Sequence, residues 1–173
     1  MTASSAPSAR RGRLFTGTDL RYVGYATASV FVASVVGQLA STSAIRGWYR
    51  TIAKPSFTPP DWVFPVAWTL LFTLMGTAFW RILRKPAETR GRSAGIALFL
   101  VQLGFNAGWS MAFFGARSPL YGLVVIAPFW CLILATTLVF RAIDRLAGWL
   151  LVPYLAWVAF ATVLNVAILQ MNK

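Results

Sequence analysis

The sequence predicts an all-α, polytopic membrane protein: a bundle of five transmembrane helices. Three observations predict it. Of 173 residues, 58% are hydrophobic and 12% charged, against roughly 25% charged in a soluble domain, and the mean hydropathy is +0.65. Five apolar runs, at about 20–40, 62–83, 94–115, 119–140 and 146–170, each supply the roughly 20 helical residues that cross about 30 Å of hydrocarbon. The charges lie between these runs and are lopsided, with 16 Lys+Arg against 4 Asp+Glu.

The runs read as helices because their apolar residues are continuous rather than alternating, and each is about twice the length of a barrel strand. Residues 1–19 form a Ser/Ala/Arg-rich basic tail, expected to be disordered, and 20–173 a single domain. The run behind the tail is longer than the apolar core of a signal peptide, which is about 7–15 residues, and no A-x-A-like site follows it. It is therefore read as a retained first span. Asp61 ahead of Trp62, and Ser118 ahead of Pro119, are expected N-caps, the second with proline at the favoured first helical position. Residues 41–61 and 84–93 are expected loops.

Orientation follows from the cations. Arg10, Arg11, Arg13, Arg21, Arg81, Arg84, Lys85, Arg90, Arg92, Arg141 and Arg145 share the N-terminal side, eleven in all. Arg46, Arg50, Lys54, Arg117 and Lys173 make five on the other. The positive-inside rule then places the N-terminus in the cytoplasm of a bacterial cell, the chain in its inner membrane, and the 41–61 loop outside. Cations clustered between apolar runs argue against nucleic acid, whose binders spread Lys and Arg over a polar face.

Several chemistries are excluded. There is no histidine and one cysteine, Cys131, so His-ligated metal, Ser-His-Asp catalysis, an internal disulfide and CxxC sites are ruled out; no metal site is expected. Asp19, Asp61, Glu88 and Asp144 all fall at span ends or in loops. No span carries the mid-membrane ionisable group on which ion-coupled carriers depend, nor the paired carboxylates of general acid–base catalysis.

What the spans offer is aromatic. Of 8 Trp, Trp48, Trp62, Trp80 and Trp149 suit the membrane interface. Trp68, Trp109 and Trp157 lie deeper, where an indole N–H needs a partner or a ligand cavity beside it. At 100° per residue, Gln102, Asn106, Trp109 and Phe113 share one face of the third span, with Gly104, Gly108, Met111 and Gly115 opposite. Interhelical hydrogen bonding and ligand contact are equally good readings of the two amides. Phe64, Trp68, Phe72, Met75 and Phe79 align on the second span, and Tyr154, Trp157, Ala161 and Leu164 on the fifth. Such stripes ordinarily mean helix packing, yet three of them together suit a flat cavity for a planar hydrophobic ligand.

Three segments carry a resemblance: WYRTIAKPSFTPPDWVFPVAW (48–68), QLGFNAGWSMAFFGAR (102–117) and PYLAWVAFATVLN (153–165). They closely resemble the translocator protein family, the tryptophan-rich sensory proteins TspO/MBR, from about residue 48 to 165 and in order. The resemblance implies a five-helix bundle whose cavity is lidded by the loop between the first two spans. It implies porphyrin, notably protoporphyrin IX, as ligand and requires no cofactor. Carried over by position, the ligand-binding residues are Tyr49, Trp68, Asn106, Trp109, Trp157 and Ala161. A receptor or sensor regulating tetrapyrrole metabolism or stress response is the leading reading. The alternatives are a photo-oxidative porphyrin-degrading enzyme acting through Trp68 and Trp157, and a porphyrin or lipid carrier.

Without histidine, a metal-free porphyrin held by stacking is the simpler expectation. Family members often read KPSW where this chain has Lys54-Pro55-Ser56-Phe57. The sterol segment of animal members places an aromatic and a basic residue where this chain has Val166 and Gln170, so weak or no cholesterol binding is expected. A homodimer through the third span is expected as well. Gly104, Gly108 and Gly115 leave a groove for close helix approach, and the resemblance implies such a dimer.

Overall fold

The computed structural model describes residues 17–173. The rest of the basic tail, residues 1–16, lies outside the described residues. Among the described residues there is no strand, and five helices are long and apolar enough to cross a membrane. They are α1 (Gly17–Arg46), α3 (Val63–Leu83), α4 (Arg92–Ser110), α5 (Pro119–Ile143) and α6 (Arg145–Met171). A short α2 (Trp48–Thr51) lies in the first connection, and α4 ends in a π-helical turn, Met111–Gly115.

Most predicted spans match to within a few residues. The exception is α1, which starts three residues inside the stretch read as tail and continues to Arg46 rather than stopping at 40. Polar residues carry it on because their side chains are satisfied within the helix. Ser41 Oγ donates to Gly37 O at 2.7 Å and Thr42 Oγ1 to Gln38 O at 2.7 Å, the back-bonding that Ser and Thr use inside helices. Ser118 caps α5 as expected, accepting from Tyr121 N–H at 3.3 Å. Asp61 does not cap α3, which begins at Val63 with Trp62 at its N-cap and no side-chain cap.

The spans close into a ring in the order α1, α3, α6, α5, α4 and back to α1. The half of the ring distant from the first connection is filled. Phe79 stacks on Phe99 at 4.2 Å between ring centroids, and Phe99 on Phe140 at 5.7 Å, among buried Met75, Ile82, Ile133 and Leu151. Asp144 seals that end. It caps α6 by accepting from Ala147 N–H at 3.1 Å and pairs with Arg81 and Lys85 of the α3 end, each at 2.9 Å. Burial alone would raise its pKa, but hydrogen bonds from Lys85, Arg81 and Ala147 N–H outweigh burial and hold the carboxyl well below the ordinary range. Arg84 pairs with Asp19 of α1 at the same end, at 2.6 Å.

A tryptophan-walled cavity under the first connection

Between α1 and the rest of the ring lies a half-open cavity of about 1050 Å³, at the upper end of the roughly 300–1,000 Å³ typical of small-molecule sites. Its walls are α1, α3, α4 with its π turn, and α6, and Tyr49 of α2 and Asp61 stand at the end under the connection. None of its lining comes from α5, which buttresses from outside.

The structure brings all six residues Tyr49, Trp68, Asn106, Trp109, Trp157 and Ala161 to this one space. Trp68 stacks on Phe72 at 5.3 Å, one turn along α3. Trp157 meets Phe64 edge-on at 6.0 Å. Trp109 stacks on Phe113 at 5.3 Å and donates its indole N–H to Asn165 Oδ1 at 3.3 Å. Asn165 Nδ2 in turn donates to Pro119 O at 2.7 Å. Ala161, one turn beyond Trp157 on α6, leaves room beside that indole.

The interhelical reading of the third-span amides is realised. Asn106 Nδ2 donates to Tyr154 Oη at 3.1 Å, and Tyr154 Oη donates to Gln102 Oε1 at 2.8 Å. Gln102 is buried packing, away from the cavity, whereas Asn106 sits on the cavity wall. Tyr49, packed edge-on against Phe113 at 6.2 Å and Phe114 at 5.5 Å, is buried, which raises the pKa of its phenol, as does the nearby Asp61 carboxylate. It therefore stays an O–H donor at neutral pH.

The π turn serves this packing. A wider turn with i→i+5 bonds, such as Ala116 N–H to Met111 O at 2.8 Å, sends Phe113 inward, and π turns of this kind gather at functional sites. The glycines of the third span face the other way. Gly104 and Gly115 are exposed, and a Cβ added at Gly104 or Gly108 would meet nothing within 4 Å.

Sequence reasoning missed the α1 wall. Ala26, Val30, Ala33, Gly37, Ser41 and Ala44 are all buried, each three or four residues after the last. That pattern of mostly small residues is a helix-packing signal legible in the run itself. Two of the expected interfacial tryptophans also turn inward: Trp80 lines the far end of the cavity, and Trp48 packs edge-on against Phe113 at 5.7 Å. Trp62 and Trp149 are exposed.

Five spans around an aromatic-lined cavity, with no buried charged side chain among the described residues that line it, define an integral membrane protein. The defining pattern of the TspO/MBR family matches residues 26–171. The chain is 49% identical over 125 residues to the tryptophan-rich protein TspO of Chlorobaculum tepidum, covering 72% of this chain and 79% of that protein. It is 39% identical over 125 residues to the tryptophan-rich sensory protein of Cereibacter sphaeroides, with 72% and 77% covered. To the human translocator protein it is 35% identical over 126 residues, with 72% and 75% covered. The chain belongs to the TspO/MBR family.

Proposed function

We infer that this protein is a membrane receptor that binds porphyrins, protoporphyrin IX first among them, and similar planar hydrophobic ligands, and so regulates tetrapyrrole metabolism or a stress response. The observation that carries the reading is the convergence of Trp68, Trp109 and Trp157 from three helices on one cavity, with Ala161 leaving a slot beside Trp157. Flat aromatic walls favour a flat ligand by offset stacking, and Asn106 and Tyr49 add polar groups to orient it. No cofactor is required in this reading, and cholesterol binds weakly or not at all.

Titration of tryptophan quenching with protoporphyrin IX tests it. Trp157→Ala and Ala161→Phe should each weaken binding several-fold, since a stacked aromatic pair is worth about 0.5–1.5 kcal/mol beyond its area. Unchanged affinity in both variants removes α6 from the site. Illuminating the same complex separates receptor from enzyme: a new pigment whose formation needs Trp68 or Trp157 favours photo-oxidative degradation.

The reading includes a bacterial inner membrane with the N-terminus cytoplasmic, tested by a reporter placed after α6, which then reads as external. It also includes a homodimer in which Gly104, Gly108 and Gly115 of two copies face each other. Open space beside the first two favours this, because close backbone approach is what drives helix pairing in lipid. Gly108→Leu should shift the detergent-solubilised protein to monomer while porphyrin binding survives. A variant that stays dimeric places the interface elsewhere.

A further inference from the structure

We propose that Asn172 is a latch that holds the connection between α1 and α3 closed over the cavity and thereby sets how fast a ligand enters and leaves. The observation is a two-way grip on one backbone residue. Asn172 Oδ1 accepts from Ala53 N–H at 3.0 Å, while its Nδ2 donates to Ala53 O at 2.9 Å. The same Nδ2 donates to Ile168 O at 2.8 Å, which fixes the side chain on the last turn of α6. The amide orientation is dictated by these partners, because reversing it sets oxygen against the oxygens of Ala53 and Ile168. A side-chain amide carries the paired donor and acceptor that match both main-chain groups of one residue.

This grip matters because little else of its kind restrains the connection. Among the described residues, its hydrogen bonds other than those to Asn172 run within it or to its neighbours in sequence. Lys54 Nζ donates to Tyr49 O at 2.7 Å and lies 4.8 Å from the Tyr49 ring centroid, and Thr58 N–H donates to Pro55 O at 3.0 Å. Pro55, Pro59 and Pro60 have no N–H to give. The connection thus holds together as a unit, packed by Tyr49 on Phe113 and Phe114, and by exposed Phe57 on Phe160 at 6.4 Å. The link between Ala53 and Asn172 spans 119 residues of sequence. It joins the connection to α6, the helix that also carries Trp157 and Ala161. Breaking it frees the strap on the α6 side and leaves the cavity walls of α1, α3, α4 and α6 in place.

The test has two arms, and only the second rests on the porphyrin reading. In the first, hydrogen–deuterium exchange of the full chain without ligand is compared for wild type, Asn172→Ala and Asn172→Asp. Asp keeps an acceptor for Ala53 N–H but loses the donor and sets a carboxylate against two carbonyls. Both variants should exchange about tenfold faster across residues 50–58, the loss expected from two side-chain hydrogen bonds, with the interiors of α3, α5 and α6 unchanged. Unchanged exchange in the strap overturns the latch. In the second arm, stopped-flow quenching with protoporphyrin IX should show association and dissociation accelerated together, with Kd within about twofold, because opening a gate multiplies both rates. Faster dissociation alone makes Asn172 a contributor to affinity and overturns the gating role. Absence of porphyrin binding in wild type sinks the porphyrin reading, and the exchange arm still decides the latch.

Discussion

Asp144→Ala should lower the stability of the folded bundle by about 2 kcal/mol, seen as a fall of about 4–8 °C in the thermal unfolding midpoint. The carboxylate does three jobs at once. It accepts the Ala147 N–H that opens α6, and it pairs with both Arg81 and Lys85. Loss of an N-cap costs about 1 kcal/mol. Loss of the ion pairs falls short of the roughly 3–5 kcal/mol of a fully buried pair, because Arg81 and Lys85 keep 33% and 34% of their side-chain surface exposed. The pH dependence has a definite sign. The folded carboxyl lies below its ordinary value of 3.8, so its contribution is complete above that value and is lost as pH falls through and below it. The gap between wild type and Asp144→Ala should therefore narrow between about pH 5 and pH 3. A constant gap over that window contradicts the ion-pair account.

Gly122→Ala should cost about 1–3 kcal/mol, the usual toll of overpacking, and should disturb the cavity as well. A Cβ on Gly122 would stand 2.7 Å from Asn165 Oδ1, 2.7 Å from Phe113 Cδ2 and 3.1 Å from Phe113 Cβ. Asn165 Oδ1 is the acceptor for Trp109, and Phe113 is the ring on which Trp109 stacks. One methyl group on α5, which lines none of the cavity, thus displaces both supports of a cavity tryptophan. The near-UV circular dichroism of the variant should lose intensity along with its thermal stability. Gly24→Ala is the control: nothing lies within 4 Å of its added Cβ, and a helical Gly→Ala change is otherwise neutral or favourable. Equal losses in the two variants mean that close approach at Gly122 is not the cause.

The five spans were legible because a helix in lipid must be apolar over its whole length, whichever face packs inward. Their ends were less so. Hydropathy drops at Ser41, yet α1 runs on to Arg46, since Ser and Thr bond back to the helix and need no water. The inward face of the third span followed from helical geometry alone, and Gln102, Asn106 and Phe113 are buried there. The π turn left no sign in hydropathy, because it arises from how Phe113 packs on Trp109 and Tyr49. The small-residue stripe of α1 is readable in the run itself, at helical spacing. The contact of Asn172 with Ala53 was beyond reach, since no local pattern pairs residues so far apart in the chain.

The cavity lies where α1 meets its neighbours, and α1 leans on α3 and α4, giving the core mainly small residues such as Ala26 and Ala33. A molecule seated there completes a layer of packing that the polypeptide leaves unfinished, so occupancy and folding become linked equilibria. A ligand that binds only the folded chain adds RT ln(1 + [L]/Kd) to its stability, about 2.7 kcal/mol at a hundredfold excess over Kd. On the porphyrin-receptor reading, heat resistance therefore doubles as a gauge of what fills the cavity.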